Sequence, residues 1–151
     1  MAALGKKTLG LGYGLITTDL VLAPAIPSNT ARAGGIVFPL AKSSAKAFGS
    51  EPDDGTARKI GAFLIQAAFQ GNVVTSAMFL TAMAANPLAA KMAGEMHINV
   101  SWEQWAVAAV VPGILSLVLV PLFIYKVNPP GSKRHREPVK WAKRNWRRWV
   151  R

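Results

Sequence analysis

A run of 22 residues without a charge most constrains what this chain can fold into. It reads QWAVAAVVPGILSLVLVPLFIY and covers residues 104–125. At about 1.5 Å per residue, a helix of this length reaches roughly 30 Å, the thickness of the hydrocarbon core of a bilayer. Trp102 and Trp105 stand at one end and Tyr125 at the other, where aromatic anchors meet the membrane surface. The run predicts a transmembrane helix over 104–126.

A second apolar region covers residues 60–90 and has no charge between Lys59 and Lys91. It is too long for one straight span, and the helix-breaking pair Asn86-Pro87 lies near its far end. We therefore expect a broken helix over 60–91. A break and polar groups at membrane depth must line a cavity or be buried in protein. The polar residues concerned are Gln66, Gln70, Asn72, Thr75 and Ser76. For Thr75 and Ser76, ordinary packing of helices through small residues explains the pattern equally well.

Two shorter apolar runs flank the stretch APAIPSNTARAGG, residues 23–35. Pro24 and Pro27 end the first run, and Ser28 or Asn29 is a good N-cap for a helix over the second. Neither run is long enough to cross a membrane comfortably. Together they predict a re-entrant helical hairpin over 8–48 that enters and leaves the membrane on the same side. The expected fold is all-α and integral to the membrane, with this hairpin and two transmembrane helices, one of them broken.

The charge is divided unevenly along the chain. The net charge is +11, but the part from Lys126 onward holds ten basic residues and one acid. The basic character is thus a property of the tail, and nucleic acid is not an expected partner. There is no cysteine, and the two histidines stand alone, so no metal site is expected. No nucleophile–base pair or phosphate loop indicates an enzyme, and no organic cofactor is expected.

The break before the second arm of the hairpin has its own chemistry. A helix that starts inside a membrane presents free N–H groups and a positive dipole end, which favour an anion. The carbonyl groups that end the first arm favour a cation. Ser28, Asn29 and Thr30 add short donors and acceptors at this point. The stretch is therefore a candidate site for a small anion with a sodium ion beside it, as in transporters with discontinuous helices.

The residues around this break also carry a resemblance. GLGYGLITTDLVLAPAIPSNTARAGGIVFPLAKS and SEPDDGTARKIGAFLIQAAFQGNVVTSAMFLTAMAANPLA resemble successive segments of the divalent anion/sodium symporter family. The similarity is greatest to its 2-oxoglutarate/malate translocator branch, which includes citrate/succinate antiporters, and extends from residue 1 to about 130. It implies secondary transport of di- or tricarboxylates across the inner membrane of a bacterial-type cell, by a multi-pass protein.

The resemblance also implies roles for individual residues. In the family, the Ser-Asn-Thr tip contacts a substrate carboxylate and helps to bind sodium, and these roles fall here on Ser28, Asn29 and Thr30. The unwound helix that completes a sodium site in the family falls near Ala84, Ala85 and Asn86. Sodium is the candidate coupling ion, although the exchanger branch does not require it.

The chain departs from the family in two respects. Family members are much longer and contain two such hairpins, whereas Ser-Asn-Thr occurs once here. We therefore interpret residues 1–130 as part of a carrier, inactive alone, whose partner would be the missing half or a second copy. Residues 131–151, basic and rich in tryptophan, do not resemble the family's continuation. We expect them to lie outside the fold, and a shifted reading frame is the simplest origin.

A different function remains open on the strength of that tail. Val139, Ala142, Trp146 and Trp149 would share one face of a basic helix, which could lie on anionic lipid. The alternative is thus a small membrane-anchored interaction or assembly protein. In either case the basic loop 41–59 and the tail are predicted to be cytoplasmic, and the loop 91–103 to be outside, by the positive-inside rule.

Overall fold

The structure is a computed structural model that describes residues 8–131. The expectations for residues 132–151, including the lipid-facing helix, lie outside the described residues. Within residues 8–131 the regular structure is entirely helical. The elements are α1 (Thr8–Leu22), α2 (Asn29–Arg32), a π-turn (Ala33–Val37), α3 (Phe38–Ala47), α4 (Gly61–Met78), α5 (Ala85–Glu95) and α6 (Trp102–Val127).

Helix α1 and the helix from Asn29 to Ala47, the first and second arms, form a helical hairpin that packs on α4. The sites Gly12 and Gly71 lie where α1 meets α4, and a Cβ at Gly71 would come within 2.5 Å of the Ile16 side chain. A Cβ at Gly61, at the start of α4, would instead lie 3.5 Å from Ala45, near the end of the second arm. Thus α1 runs parallel to α4, and the second arm returns antiparallel. Both outer ends of the hairpin lie beside the beginning of α4.

The second arm is one continuous helix from Asn29 to Ala47 with a π-turn inside it. The N–H of Phe38 donates to the carbonyl of Ala33, five residues back, which defines the wider turn. Its buried positions are Arg32, Val37, Ala41 and Ala45. Their spacing is five, four and four residues, so the wider turn keeps Arg32 on the same face as the other three. The π-turn therefore lets Arg32 point into the protein.

The break that follows α4 is earlier than the sequence predicts. The helix ends at Met78, and residues 79–84 are irregular before α5 begins at Ala85. The expected breaking residue, Pro87, is instead the third residue of α5. Proline is tolerated there because the first N–H groups of a helix have no partner inside it. We refer to residues 23–28 as the first break and to residues 79–84 as the second break.

Helix α6 runs antiparallel to α4 and is held to it at both ends. The indole N–H of Trp105 donates to the carbonyl of Ala77 at 2.9 Å, and Trp102 stacks on Phe79 with ring centroids 6.0 Å apart. At the other end the amide of Asn128 donates to Gln66. The second break therefore lies beside the first turn of α6, at the end opposite the 49–60 loop.

Membrane-crossing character is concentrated in α6. Among residues 8–131, it is the one helix that is long and apolar enough to cross a bilayer by itself; α1 is apolar but shorter. Most of its surface is exposed, including Val107, Val111 and Phe123 at 72, 73 and 67%. It continues through Pro112 and Pro121, and the hydroxyl of Tyr13 on α1 donates to the Val118 carbonyl at 2.7 Å. The exposed apolar side chains suit lipid or further helices.

Sidedness is the first testable consequence. The charges of the two loops predict that Asp53, in the 49–60 loop, faces the cytoplasm and that Asn99 faces outward. Both residues are exposed, and the chain has no cysteine of its own. In intact cells, an impermeant thiol reagent should therefore label Asn99→Cys but label Asp53→Cys only after lysis. Labelling of Asp53→Cys alone in intact cells would contradict this orientation.

Candidate functional site

The first break ends in a helix start with open donors. Ser28 is the N-cap of α2: its backbone is extended, and its hydroxyl accepts from the N–H of Ala31 at 3.2 Å. Of the two residues predicted as N-cap, Ser28 and Asn29, the structure has Ser28. Across the described part of the chain, no acceptor is bonded to the N–H groups of Asn29 and Thr30, and neither side chain has a hydrogen bond.

At the second break, a side chain bonds the backbone carbonyls that the end of α4 leaves free. The amide nitrogen of Asn86 donates to the carbonyls of Ser76 at 2.7 Å and of Phe79 at 2.8 Å. These carbonyls lie at the end of α4, where a helix leaves acceptors without intrahelical partners. Asn86 is 4% exposed, and its Oδ1 accepts no hydrogen bond within residues 8–131. Of its polar atoms, Oδ1 is the one left for a ligand.

Arg32 joins the two breaks. Its Nη1 donates to the carbonyl of Ile26, in the first break, at 2.9 Å, and to that of Ala82, in the second, at 2.8 Å. Its Nη2 donates to the hydroxyl of Ser76 on α4 at 2.8 Å. Both carbonyl oxygens therefore lie within hydrogen-bond distance of the same nitrogen. The guanidinium is a cation that already bonds to both carbonyl oxygens. A bound metal ion would have to compete with Arg32 for these two oxygens.

Asp19 completes the cluster from α1. Its Oδ1 accepts from Nε of Arg32 at 3.1 Å, and its Oδ2 accepts from Asn72 at 3.0 Å and from the hydroxyl of Thr75. Asp19 and Arg32 are 1% and 0% exposed. Within the protein, an ion pair is tolerated at such depth only when further hydrogen bonds satisfy both partners, as they do here.

The residues that the sequence singled out lie at these breaks in different environments. Ser28 and Asn29 are half-buried and Thr30 is exposed, while Ala84 and Ala85 are exposed and Asn86 is buried. No hydrogen bond between described residues joins the first three directly to the last three. They are connected through Arg32, which reaches a carbonyl in each break.

Asp19 and Arg32 were not among the residues expected at the site. A signal was nevertheless present, because Asp19 is the one charge of α1 and Arg32 is the one charge of α2. Asp19 and Arg32 are successive charges of opposite sign in the chain, within apolar stretches of adjacent arms, and such charges are expected to pair in a medium of low dielectric. Thr75 and Ser76, for which packing was an equal alternative, bond to this pair. Asn72 is buried as expected, whereas Gln66 and Gln70 are exposed.

Known proteins match this chain over nearly its whole length. A family model described as sodium:sulfate symporter transmembrane region matches residues 1–149. The match continues past residue 130, where the expected resemblance ended, and includes most of the tail.

Individual relatives agree with this family. YflS of Bacillus subtilis, provisionally described as a malate transporter, is 59% identical over 139 residues, which are 91% of this chain and 29% of that protein. Dicarboxylate transporter 1, chloroplastic, of Spinacia oleracea is 51% identical over 140 residues, 92% of this chain and 25% of the relative. Inner membrane protein YbhI of Escherichia coli is 51% identical over 132 residues, which are 87% of this chain and 28% of that protein.

This chain thus spans between a quarter and three tenths of the length of these relatives. The resemblance found in the sequence is confirmed, and with it the membrane setting. The chain belongs to the sodium:sulfate symporter transmembrane family.

Proposed function

We propose that this chain is part of a secondary transporter that moves di- or tricarboxylates of the 2-oxoglutarate, malate, succinate or citrate class. Two observations support the substrate class: the malate description of YflS and the dicarboxylate name of the spinach relative. The observation that carries the proposal is the open helix start at Asn29, which Arg32 holds against a second break. By analogy with YbhI, the proposed location is the inner membrane. A multi-pass topology is part of the same proposal.

The substrate site in this proposal is formed by Ser28, Asn29 and Thr30. A helix that continues to Ala47 places a positive dipole end at Asn29. The N–H groups of Asn29 and Thr30 and their side chains have no partner among the described residues. They offer a carboxylate several donors that nothing else in residues 8–131 uses. Ser28 keeps this start in place by capping Ala31.

The hairpin in this proposal is re-entrant. Its arms of 15 and 19 residues are about 22 and 28 Å long at 1.5 Å per residue, and both are shorter than a hydrocarbon core of about 30 Å. The outer ends of both arms lie beside the beginning of α4. An anion site at the tip would therefore lie at membrane depth, where discontinuous helices of transporters place their binding sites.

A sodium ion is the proposed coupling ion, bound between Ser28, Asn29, Ala84, Ala85 and Asn86. The family description and the free Oδ1 of Asn86 support it. The carbonyls of Ile26 and Ala82 are less available, because Arg32 donates to both. If sodium binds here, uptake by a full-length carrier containing this segment should fall when potassium replaces sodium, and Asn86→Leu should remove the difference. Equal uptake in both salts would contradict sodium coupling and favour an exchange mechanism that does not use sodium.

Substitution at the tip tests the substrate site. The segment would be placed in YflS in exchange for its matching region, and uptake of labelled malate and succinate measured in cells. Asn29→Ala and Thr30→Ala should each lower uptake by about 100-fold, because a misplaced or missing donor in a preorganised site costs this much. The amount of carrier in the membrane should not change, since neither side chain has a bond to lose.

Ser43→Ala is the matched control. Ser43 is an exposed hydroxyl on α3 that donates only to the carbonyl of Leu40. Uptake by this variant should equal that of the unsubstituted graft. Unchanged affinity and rate in both Asn29→Ala and Thr30→Ala would leave these residues no part in substrate binding.

By itself the chain is not expected to transport. It contributes one Ser-Asn-Thr tip, and one set of donors leaves the second carboxylate of a dicarboxylate unpaired. The purified chain in liposomes, with labelled succinate, malate and 2-oxoglutarate, should show no saturable exchange above that of empty liposomes. Saturable exchange would contradict this and favour a dimer in which a second copy supplies the second tip.

The alternative, an interaction protein with a lipid-binding tail, depends on residues 132–151. No observation within residues 8–131 favours it, and the family match extends through most of the tail.

A further inference from the structure

We propose that Asp19 is a positioning residue: by orienting Arg32, it fixes the two helix breaks relative to each other. The carboxylate of Asp19 bonds to neither break: its partners are Arg32 on α2 and Asn72 and Thr75 on α4. The backbone carbonyl of Asp19 accepts from the N–H of Ala23 at 2.9 Å, a bond that an amide side chain at position 19 would leave in place. The inference rests on the proposed function only for what the breaks bind, since the placement of the breaks can be measured without transport.

The orientation follows from how the donors are distributed. Oδ1 of Asp19 holds Nε of Arg32, and Oδ2 is held in turn by Asn72 and Thr75. The carboxylate therefore cannot rotate without losing a bond to α4. Because a guanidinium is planar, a fixed Nε also fixes the direction in which Nη1 and Nη2 point. Nη1 consequently faces the carbonyls of both Ile26 and Ala82.

An amide at position 19 would not do the same. Asparagine could offer its oxygen to Nε of Arg32, but its nitrogen would then face the amide nitrogen of Asn72, which is also a donor. The buried guanidinium would also lose its one counter-charge within residues 8–131. Arg32 would shift toward water or other acceptors, and the two breaks would lose the nitrogen they share.

Cysteine cross-linking on the complete 151-residue chain in membranes measures this placement. Pro27 and Thr81 are exposed neighbours of the two bridged residues, Ile26 and Ala82. The pair Pro27→Cys and Thr81→Cys reports the breaks when treated with a short bismaleimide. A second pair, Arg58→Cys and Gly131→Cys, reports the opposite end of the bundle, where the N–H of Gly131 donates to the Arg58 carbonyl at 2.9 Å. The chain has no other cysteine.

Asp19→Asn should lower the cross-linking rate of the 27–81 pair about tenfold, within the range of coupling between contacting residues, and leave the 58–131 pair unchanged. Asp53→Asn, an acid-to-amide change in an exposed loop, should change neither. Unchanged 27–81 cross-linking in Asp19→Asn would overturn the proposal. If Asp19→Asn loses both cross-links, Arg32→Lys decides: it keeps the charge but offers one nitrogen, so loss of the 27–81 pair alone supports the proposal and any other result overturns it.

The double variant Asp19→Asn/Arg32→Gln separates positioning from simple charge balance. It contains no buried charge at these two positions, so the melting temperature in detergent should return toward that of the unsubstituted chain. The 27–81 rate should stay low, because glutamine cannot hold both carbonyls. Recovery of both the melting temperature and the 27–81 cross-linking rate would show that the pair only balances charge.

In the YflS graft, Asp19→Asn should lower the uptake rate on the order of 100-fold. If the unsubstituted graft shows no uptake at all, that result counts against the proposed function and leaves the cross-linking result intact.

Discussion

The buried pair of Asp19 and Arg32 is the interaction on which the rest of this structure depends. Neither charge could face lipid, since an unpaired charge in hydrocarbon costs several kcal/mol or more. Pairing brings α1 against the second arm, and the bonds to Asn72, Thr75 and Ser76 bring both arms onto α4. The hairpin is thus closed by its polar residues at the tip and by apolar residues along its length. The wider turn after Arg32 is what allows one helix to serve both purposes.

Close packing below the tip requires small residues. In a membrane, helices gain little from the hydrophobic effect and associate by tight contact instead. A Cβ at Gly71 would lie 2.5 Å from Ile16, and one at Gly113 would lie 2.6 Å from Met78. Glycine at these positions lets α1 and α6 approach α4 from different sides. This close approach is also what brings Asp19 within reach of Asn72 and Thr75, because Ile16 and Asp19 are neighbours on one face of α1.

Local features of this fold could be predicted from the sequence, whereas contacts between distant segments could not. The cap at Ser28 and the helix at 104–126 follow from signals a few residues long, and the structure has a cap at Ser28 and a helix at Trp102–Val127. The end of α4 at Met78 has no such signal. The carbonyl groups it frees are bonded by Asn86, eight residues later, so the stability of that end depends on a tertiary contact. The partnership of Asp19 with Arg32, Asn72 and Thr75 is likewise visible only when the helices are in place.

The two breaks differ in which of their backbone groups remain unbonded, and this difference indicates where a ligand can act. At the second break, Asn86 bonds the carbonyls of Ser76 and Phe79, and Arg32 bonds that of Ala82. At the first, Arg32 bonds the carbonyl of Ile26, but the donors of Asn29 and Thr30 stay open within the described chain. An anion that accepts from these donors would form hydrogen bonds without displacing any bond between described residues. The open donors of the first break thus suit an anion, whereas the side-chain acceptor left for a cation at the second break is Oδ1 of Asn86.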